Sequence, residues 1–207
     1  MGADHRVFSR LNLPENHTHL SWIENEPEET LESYALRMAD RITHKNPILI
    51  GLSFGGIVAQ EIAAIRPVEK IVLISTIKSQ MEKPWYFKLA SRLRLIDMIP
   101  EILLKSPNTF VYFAFSLQTR EEKRMLKQCI EQSSPAHLKW AMKQVVDWPS
   151  TVHKKPTFHI HSTRDRIFPI KTIDFDALIN GGHFAIYTNA DELNEVLRVE
   201  FDPMNSQ

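Results

Sequence analysis

Residues 48–56 read ILIGLSFGG, an apolar run that passes directly into a helical pattern. A short, unbroken apolar run is typical of a strand that a parallel sheet buries on both faces. Residues 54–66 are apolar almost all round, which predicts a buried helix. Three of the six glycines of the chain surround Ser53 at the junction. The stretch therefore predicts a tight strand-to-helix turn with a serine at its tip.

Strands and helices alternate on both sides of this turn. Apolar residues predict strands at 17–24, 47–52 and 70–76. Helical spacing predicts a further helix that begins at Pro27, in addition to the one over 54–66. The order strand, helix, strand, helix, strand indicates a mostly parallel α/β sheet flanked by helices.

Residues 77–150 interrupt this alternation, because they contain helical segments and no convincing strand. Thr119 and Glu122 form a capping box that starts one helix, and Ser134 followed by Pro135 starts another. We therefore expect a helical insertion at one end of the sheet.

The alternation resumes after the insertion. Residues 156–162 predict a strand, residues 176–179 form a short apolar patch, and Thr188 is a candidate N-cap of a last helix. A length of 207 residues is consistent with one domain. That domain is expected to span 1–207, with a core of 1–76 and 151–207 and the insertion at 77–150.

The composition is that of an ordinary globular chain, with 43% hydrophobic and 24% charged residues. Lys and Arg total 25, as do Asp and Glu, so no net field favours nucleic acid. No apolar run approaches about 20 residues, so no membrane span is expected, and the first residues lack a signal region. The single cysteine, Cys129, suits a reducing compartment. We expect a cytoplasmic protein without a cofactor, and the oligomeric state stays open.

A serine at the tip of such a turn is suited to act as a nucleophile, because the turn projects its hydroxyl clear of the sheet. Gly51 and Gly55 stand two residues before and after Ser53, where side chains are expected to collide as strand and helix converge. The backbone N–H of Phe54, at the helix N-terminus, can stabilise a developing oxyanion. The alternative is a turn whose serine only caps the helix.

A nucleophilic serine needs a histidine base, and in this motif the base follows both the serine and a carboxylate along the chain. Four of the nine histidines precede Ser53 and are excluded. His137 and His153 lie in the insertion or just after it. His159 and His161 share one face of a strand, which suits either packed histidines or metal ligands. No third ligand lies near them in the sequence, so we expect no metal site.

His183 and Asp165 remain as the base and its carboxylate. His183, in INGGHFAIY, follows two glycines whose loop can carry the ring over the sheet. Asp165, in HIHSTRDRIFP, lies just past the end of a predicted strand, where functional loops of parallel sheets gather. The alternative for Asp165 is a local cap or an ion pair with Arg164 or Arg166. Three other carboxylates do not directly follow a buried strand: Asp147, Asp174 and Asp176.

The chain resembles the α/β-hydrolase family in these pieces. GLSFGG resembles the nucleophile elbow of that family, HSTRDRIFP its acid loop and GGHF its histidine loop, in the same order. The opening MGADHRVFSRL resembles the segment after the first conserved turn. The resemblance covers nearly the whole chain and implies that 77–150 form a helical cap and that the elbow strand lies near the sheet centre.

The resemblance also implies roles for individual residues. It implies a catalytic triad of Ser53, Asp165 and His183, with the Phe54 N–H as one oxyanion donor. The second oxyanion donor of the family falls at Met1.

Two departures from the family pattern stand out. Ser162 and Thr163 occupy a place where relatives usually carry a glycine. In the family a strand precedes the segment that GAD resembles, and it lies between the elbow strand and the one at 17–24. The sequence, which begins at Met1, contains no counterpart of that strand. We therefore expect either that the natural protein begins upstream of Met1 or that the strands at 17–24 and 47–52 pair directly.

A serine nucleophile points to acyl transfer, most simply hydrolysis of a small carboxylic ester or thioester. Trp85, Tyr86 and Phe113 of the insertion are candidate substrate contacts, which favours a small-molecule substrate with an apolar group. These side chains share the insertion with four further aromatics: Phe87, Phe110, Tyr112 and Phe115. The alternative role for all seven is the core of the cap.

Other functions stay open at this stage. An acyltransferase or a C–C bond hydrolase can use the same triad, and a non-catalytic binding protein can keep the elbow without activity. A lid that touches a membrane is a further alternative role for the insertion. Four cations of the insertion equally suit a solvated face: Lys83, Lys88, Arg92 and Arg94.

Overall fold

The computed structural model describes residues 4–149 and 156–201. Within them a sheet of four parallel strands runs in chain order, β1-β2-β3-β4. The strands are β1 Ile48–Leu52, β2 Lys70–Ile74, β3 Thr157–Ser162 and β4 Ala177–Ile179. All four therefore present their carboxyl ends at one edge of the sheet, where the loops that follow them meet.

The α-helices flank the sheet or lie in the insertion. In chain order they are α1 Leu31–Ala39, α2 Phe54–Ile65, α3 Trp85–Arg92, α4 Thr109–Ala114, α5 Arg120–Gln132, α6 Pro135–Asp147, α7 Ala185–Thr188 and α8 Ala190–Glu200. Short 3-10 helices occupy His5–Phe8, Gln80–Glu82, Glu101–Lys105 and Ile170–Thr172. In the part of the chain that the structure describes, no helix is long and apolar enough to cross a bilayer.

Helices α3 to α6 all lie between β2 and β3, where the sequence predicts helical segments. Thr119 and Glu122 form the expected capping box at the start of α5, with reciprocal hydrogen bonds between side chains and backbone. The Ser134 hydroxyl accepts from the His137 N–H at 3.0 Å and so starts α6 as predicted.

The second strand, β2, is buried on both faces. Val72 and Ile74 pack in a cluster with residues of α5 and α8, while Ile71 and Leu73 pack against the alanines of α2. All four side chains are fully buried. An unbroken apolar run is what such a position requires, so the sequence pattern predicted this strand correctly.

The prediction of a strand at 17–24 is wrong. The segment is irregular, and among the described residues it pairs with no strand. Side chains of α1 satisfy its backbone carbonyls instead, because Tyr34 Oη donates to the Ile23 oxygen at 2.9 Å and Arg37 donates to the Glu24 oxygen at 2.8 Å. The apolar residues of the segment are partly buried against the helices, so they mimic a strand pattern without a ladder.

The elbow strand β1 lies at an edge of the sheet, so the expectation of a central position is wrong for the described chain. It pairs with β2 from Ile48↔Lys70 to Leu52↔Ile74 and with no other described strand. The expected direct pairing between 17–24 and 47–52 does not occur, since α1 binds the backbone of the first segment.

Two helices begin later than predicted. The helix expected from Pro27 begins at Leu31, because Glu28 has a φ of 56° and cannot belong to a right-handed helix. The last long helix begins at Ala190 after Asn189, whereas Thr188 ends the short helix before it. Both errors concern boundaries, which local tertiary contacts adjust most easily.

Candidate active site

Ser53 sits in a strained turn between β1 and α2, with φ 52° and ψ −120°. Positive φ is unfavourable for a residue with a side chain, and such strain concentrates at functional sites. The Ser53 N–H donates to the Ile74 carbonyl at 2.9 Å, which ties the turn to β2. The Ser53 hydroxyl makes no cap bond to α2 and donates to His183 Nε2 at 2.8 Å. The alternative of a serine that only caps the helix is therefore wrong.

The glycines of the turn have different steric roles. A Cβ on Gly51 would lie 2.5 Å from the Gly55 carbonyl oxygen, and a Cβ on Gly56 would lie 2.6 Å from Thr76 Cγ2. A Cβ on Gly55 would meet nothing closer than the Trp22 ring at 3.8 Å. The expected steric need for glycine is correct at Gly51 and wrong at Gly55, because the close approach on the helix side occurs at Gly56.

This difference predicts opposite outcomes for two alanine variants. Gly51→Ala should lower the free energy of unfolding by at least about 1–3 kcal/mol, because its Cβ overlaps backbone that cannot move aside. Gly55→Ala should leave stability unchanged or raise it by roughly 0.5–1 kcal/mol, since alanine suits a helix better than glycine. Denaturant titration of both variants measures the difference. Equal stability of the two would contradict the steric assignment.

His183 and Asp165 continue the hydrogen-bond chain that begins at Ser53. His183 Nδ1–H donates to Asp165 Oδ2 at 2.8 Å, which leaves Nε2 to accept from the serine hydroxyl. The other carboxylate oxygen, Oδ1, accepts from the Ile167 N–H at 2.8 Å and the Phe168 N–H at 2.9 Å. Asp165 is thus both a local cap and the partner of His183, and its side chain is fully buried. Neither Arg164 nor Arg166 forms an ion pair with it among the described residues.

The loop before His183 needs both of its glycines. Gly181 has a φ of 124°, a region that only glycine enters readily. A Cβ on Gly182 would lie 2.2 Å from Ser116 Cβ, so its absence lets the end of α4 approach. Phe115 and Phe168 hold the imidazole of His183 between them, with ring centroids at 5.2 and 5.5 Å. The sequence places Phe115 among seven aromatics of the insertion and gives no signal for the position of Phe168.

Phe54 opens α2 directly after the serine, so no helical carbonyl can accept its backbone N–H. Its side chain is fully buried, stacked on Trp22 at 5.6 Å and edge-on to Trp140 at 5.8 Å. The aromatic packing stabilises the first turn of the helix. Met1 and His153, which sequence analysis also named, lie outside the described residues.

The three candidate substrate contacts border the loop that carries Asp165. Tyr86 Oη lies 3.2 Å from the Arg166 carbonyl and 3.1 Å from that of Ile167, to which it donates. Phe113 stacks under the Arg166 guanidinium at 3.9 Å and accepts from it through its carbonyl at 2.8 Å. Trp85 is largely exposed and meets the Tyr86 ring edge-on. Tyr86 and Phe113 thus contact the acid loop, whereas Trp85 lies farther out.

His159 and His161 are buried on β3 and each donates to a backbone carbonyl. His159 Nδ1 donates to the Asp174 oxygen at 3.0 Å, and His161 Nε2 donates to the Phe168 oxygen at 2.8 Å. Burial lowers the pKa of both rings, so both are neutral. Within residues 4–149 and 156–201, no group of three His, Cys, Asp or Glu is placed to hold a metal ion.

Because His159 is buried, the protein is expected to lose stability in acid. Burial lowers its pKa to about 3, whereas an unfolded histidine has a pKa of about 6.5. Between these values only the unfolded chain binds the proton, so the free energy of unfolding falls as the pH falls from about 6.5 toward 3. His159→Asn, whose amide can still donate to the Asp174 carbonyl, should remove about 3 kcal/mol of the decrease between pH 7 and 4.

Denaturant titration at the two pH values measures this effect. His44→Asn is the matched control, because His44 is exposed. A pH dependence in His159→Asn equal to that of the unaltered protein would contradict the prediction.

Two cavities in the described part of the chain lie away from Ser53. One of about 50 Å³ lies between α3 and α6, and one of about 320 Å³ lies between residues 28–32 and 144–149. Neither is lined by Ser53, Asp165 or His183. Neither of these two cavities marks the candidate site, which is located by its hydrogen bonds.

The fold is similar to that of several solved structures. A thermophilic esterase from Thermogutta terrifontis has a TM-score of 0.61 at 17% identity, covering 87% of this chain and 74% of its own. A lipase-esterase related protein from Clostridium acetobutylicum has a TM-score of 0.59 at 16% identity, covering 96% and 90%. A meta-cleavage product hydrolase from Pseudomonas fluorescens has a TM-score of 0.57 at 17% identity, covering 91% and 74%.

The sequence identities to these three structures are low, so the similarity to them is a similarity of fold alone. No curated protein matches the chain. A model of the Alpha/beta hydrolase family matches residues 5–196, from the first 3-10 helix into α8. Because this match spans nearly all of the 207 residues, the chain belongs to the alpha/beta hydrolase family.

Proposed function

We propose that this protein is a serine hydrolase that cleaves a small carboxylic ester or thioester through an acyl-enzyme. The proposal rests on one observation. Ser53 Oγ, His183 and Asp165 form an unbroken chain of two 2.8 Å hydrogen bonds that begins at a strained turn. A nucleophile, a base in reach of it and a carboxylate that orients the base are what acyl transfer requires.

Ser53 carries out the first half of the reaction. Its Oγ attacks the carbonyl carbon of the substrate while its proton passes to His183 Nε2. The tetrahedral intermediate then collapses, and the bond to the leaving alcohol or thiol breaks. The leaving group takes the proton from His183, and the acyl group stays on Ser53 as an ester.

Water completes the reaction by the same steps. His183 Nε2 accepts a proton from a water molecule, whose oxygen attacks the acyl carbon. Collapse of the second tetrahedral intermediate releases the carboxylic acid, and the proton returns to Ser53 Oγ. His183 thus acts as base and acid in turn, which its single free nitrogen permits.

Asp165 and Phe54 support these steps. The carboxylate accepts from His183 Nδ1–H, which keeps Nε2 free to act as base and stabilises the imidazolium that forms. The carboxylate is held in turn by the backbone N–H groups of Ile167 and Phe168. The Phe54 N–H, next to the nucleophile in the chain, donates to the developing oxyanion.

The substrate class follows from the side chains around His183. The rings of Phe115 and Phe168 flank the imidazole, so an apolar acyl or alcohol group suits the site better than a charged one. We assign residues 77–150 as a cap on the core of one domain. Of the three candidate substrate contacts, Tyr86 and Phe113 touch the acid loop and suit this role better than Trp85, which lies farther out.

A fluorophosphonate probe tests the proposal, because it reacts covalently with an activated serine and spares an ordinary hydroxyl. We expect the purified protein to be labelled on the peptide that contains Ser53, as located by mass spectrometry. The Ser53→Ala variant should not react. Failure of the folded protein to react would overturn the proposal and favour a binding protein with an inactive elbow.

A further inference from the structure

Thr76 makes a direct contact with the backbone of the proposed nucleophile. Its hydroxyl donates to the Ser53 carbonyl oxygen at 2.7 Å, and its side chain is fully buried. The same carbonyl already accepts the Gly56 N–H at 2.9 Å. The Ser53 carbonyl therefore does not depend on Thr76 for a hydrogen-bond partner, and the Thr76 hydroxyl gives it a second one.

The chain around Thr76 departs twice from ordinary geometry at this contact. Ser75, which follows β2, has a φ of 46°, an unfavourable value for a residue with a side chain. On the opposite side, Gly56 leaves room for Thr76, because a Cβ there would lie 2.6 Å from Thr76 Cγ2. The hydroxyl–carbonyl contact thus lies between a strained backbone on one side and a glycine on the other.

That carbonyl belongs to the same peptide group as the Phe54 N–H. A peptide group is planar and trans, so its C=O and N–H point in opposite directions. Holding the Ser53 oxygen therefore also fixes the direction of the Phe54 N–H. A hydrogen bond to the oxygen further polarises the group, which makes the N–H a stronger donor.

We propose that Thr76 is a positioning residue that orients and strengthens the Phe54 N–H as an oxyanion donor. The proposal rests on the assignment of Ser53 as nucleophile. Thr76 touches neither the substrate nor the reacting atoms, and it acts through the Ser53–Phe54 peptide. Its effect should appear in the transition state, where the oxygen carries charge, and much less in the bound substrate.

Two variants separate the hydroxyl from the shape of the side chain. Thr76→Val keeps the shape and removes the donor, whereas Thr76→Ser keeps the donor and removes a methyl group. We expect Thr76→Val to lower kcat about 10- to 100-fold with KM within about twofold, less than the ~10²–10³ lost with a whole oxyanion donor. Thr76→Ser should stay within about threefold of the unaltered protein. Should the valine variant not fold, Thr76→Ala against Thr76→Ser makes the same comparison.

Inhibitor affinity distinguishes this role from a merely structural one. A trifluoromethyl ketone forms a tetrahedral adduct with an oxyanion, and its affinity should fall in Thr76→Val by the same factor as kcat/KM. The affinity for the carboxylic acid product should not change. An unchanged kcat in Thr76→Val, or an equal loss of affinity for ketone and product, would overturn the proposal.

The amide resonance of Phe54 provides a readout that needs no turnover. Its ¹⁵N shift should move in Thr76→Val and stay close to that of the unaltered protein in Thr76→Ser. If Ser53→Ala retains full turnover, the proposed function fails while this shift can still be tested. If turnover requires Ser53 but the Phe54 resonance does not respond to Thr76→Val, only the inference about Thr76 fails.

Discussion

Replacing Ser53 with alanine is expected to lower kcat for a short-chain ester by on the order of 10⁶-fold. In the proposed mechanism this oxygen forms the acyl-enzyme, so the variant would retain only transition-state binding by the remaining site. Stability should change little, because among the described residues the Ser53 hydroxyl bonds only to His183, and its removal leaves β1 and α2 in place. Release of product from a chromogenic acetate or butyrate ester measures the effect.

The control for this variant is an exposed serine on the surface of the core. Ser33 lies in α1 and is exposed, so Ser33→Ala should keep the rate of the unaltered protein. Thermal unfolding of both variants verifies that they fold. A Ser53→Ala variant with more than about one hundredth of the original kcat would remove Ser53 from the role of nucleophile.

Replacing Asp165 with asparagine is expected to lower kcat by about 10⁴-fold. The amide oxygen can still accept from the Ile167 and Phe168 N–H groups, so the acid loop should keep its shape. The amide nitrogen then faces His183 Nδ1 and donates to it. This bond places the ring proton on Nε2, where it prevents His183 from accepting the proton of Ser53.

Asp174→Asn is the matched control, since Asp174 lies in the same part of the chain and its exposed carboxylate pairs with Lys78. Its kcat should remain within about twofold of the unaltered protein. Steady-state kinetics of the two variants at one pH test whether Asp165 orients His183. Circular dichroism verifies that both variants fold. An Asp165→Asn variant as active as Asp174→Asn would mean that another group orients His183.

The residues of the candidate site were predictable because each has a local signal. Ser53 stands between an apolar strand and an apolar helix, and Asp165 lies three residues past the end of a strand. His183 follows a pair of glycines. In a parallel sheet these positions meet at the carboxyl edge, so the topology alone brings the three segments together.

The wrong predictions concern segments whose sequence pattern is compatible with more than one backbone structure. The apolar residues within 17–24 predicted a strand, yet Tyr34 and Arg37 of α1 bind carbonyls of this segment. Apolar spacing reports burial, and it does not report which groups satisfy the backbone. The start of α1 was missed because the positive φ of Glu28 arises from the turn before the helix and not from residue preference.

The sequence by itself determined the strand-to-helix turn at Ser53, the helical insertion and the starts of α5 and α6. These features depend on residues within a few positions of one another, such as the Thr119–Glu122 capping box. The tertiary structure alone decided that Gly56 and not Gly55 is sterically required, that Phe115 packs on His183 and that Thr76 holds the Ser53 carbonyl. Each of these depends on a contact between segments distant in the chain, and such a contact leaves no periodic signal in either segment.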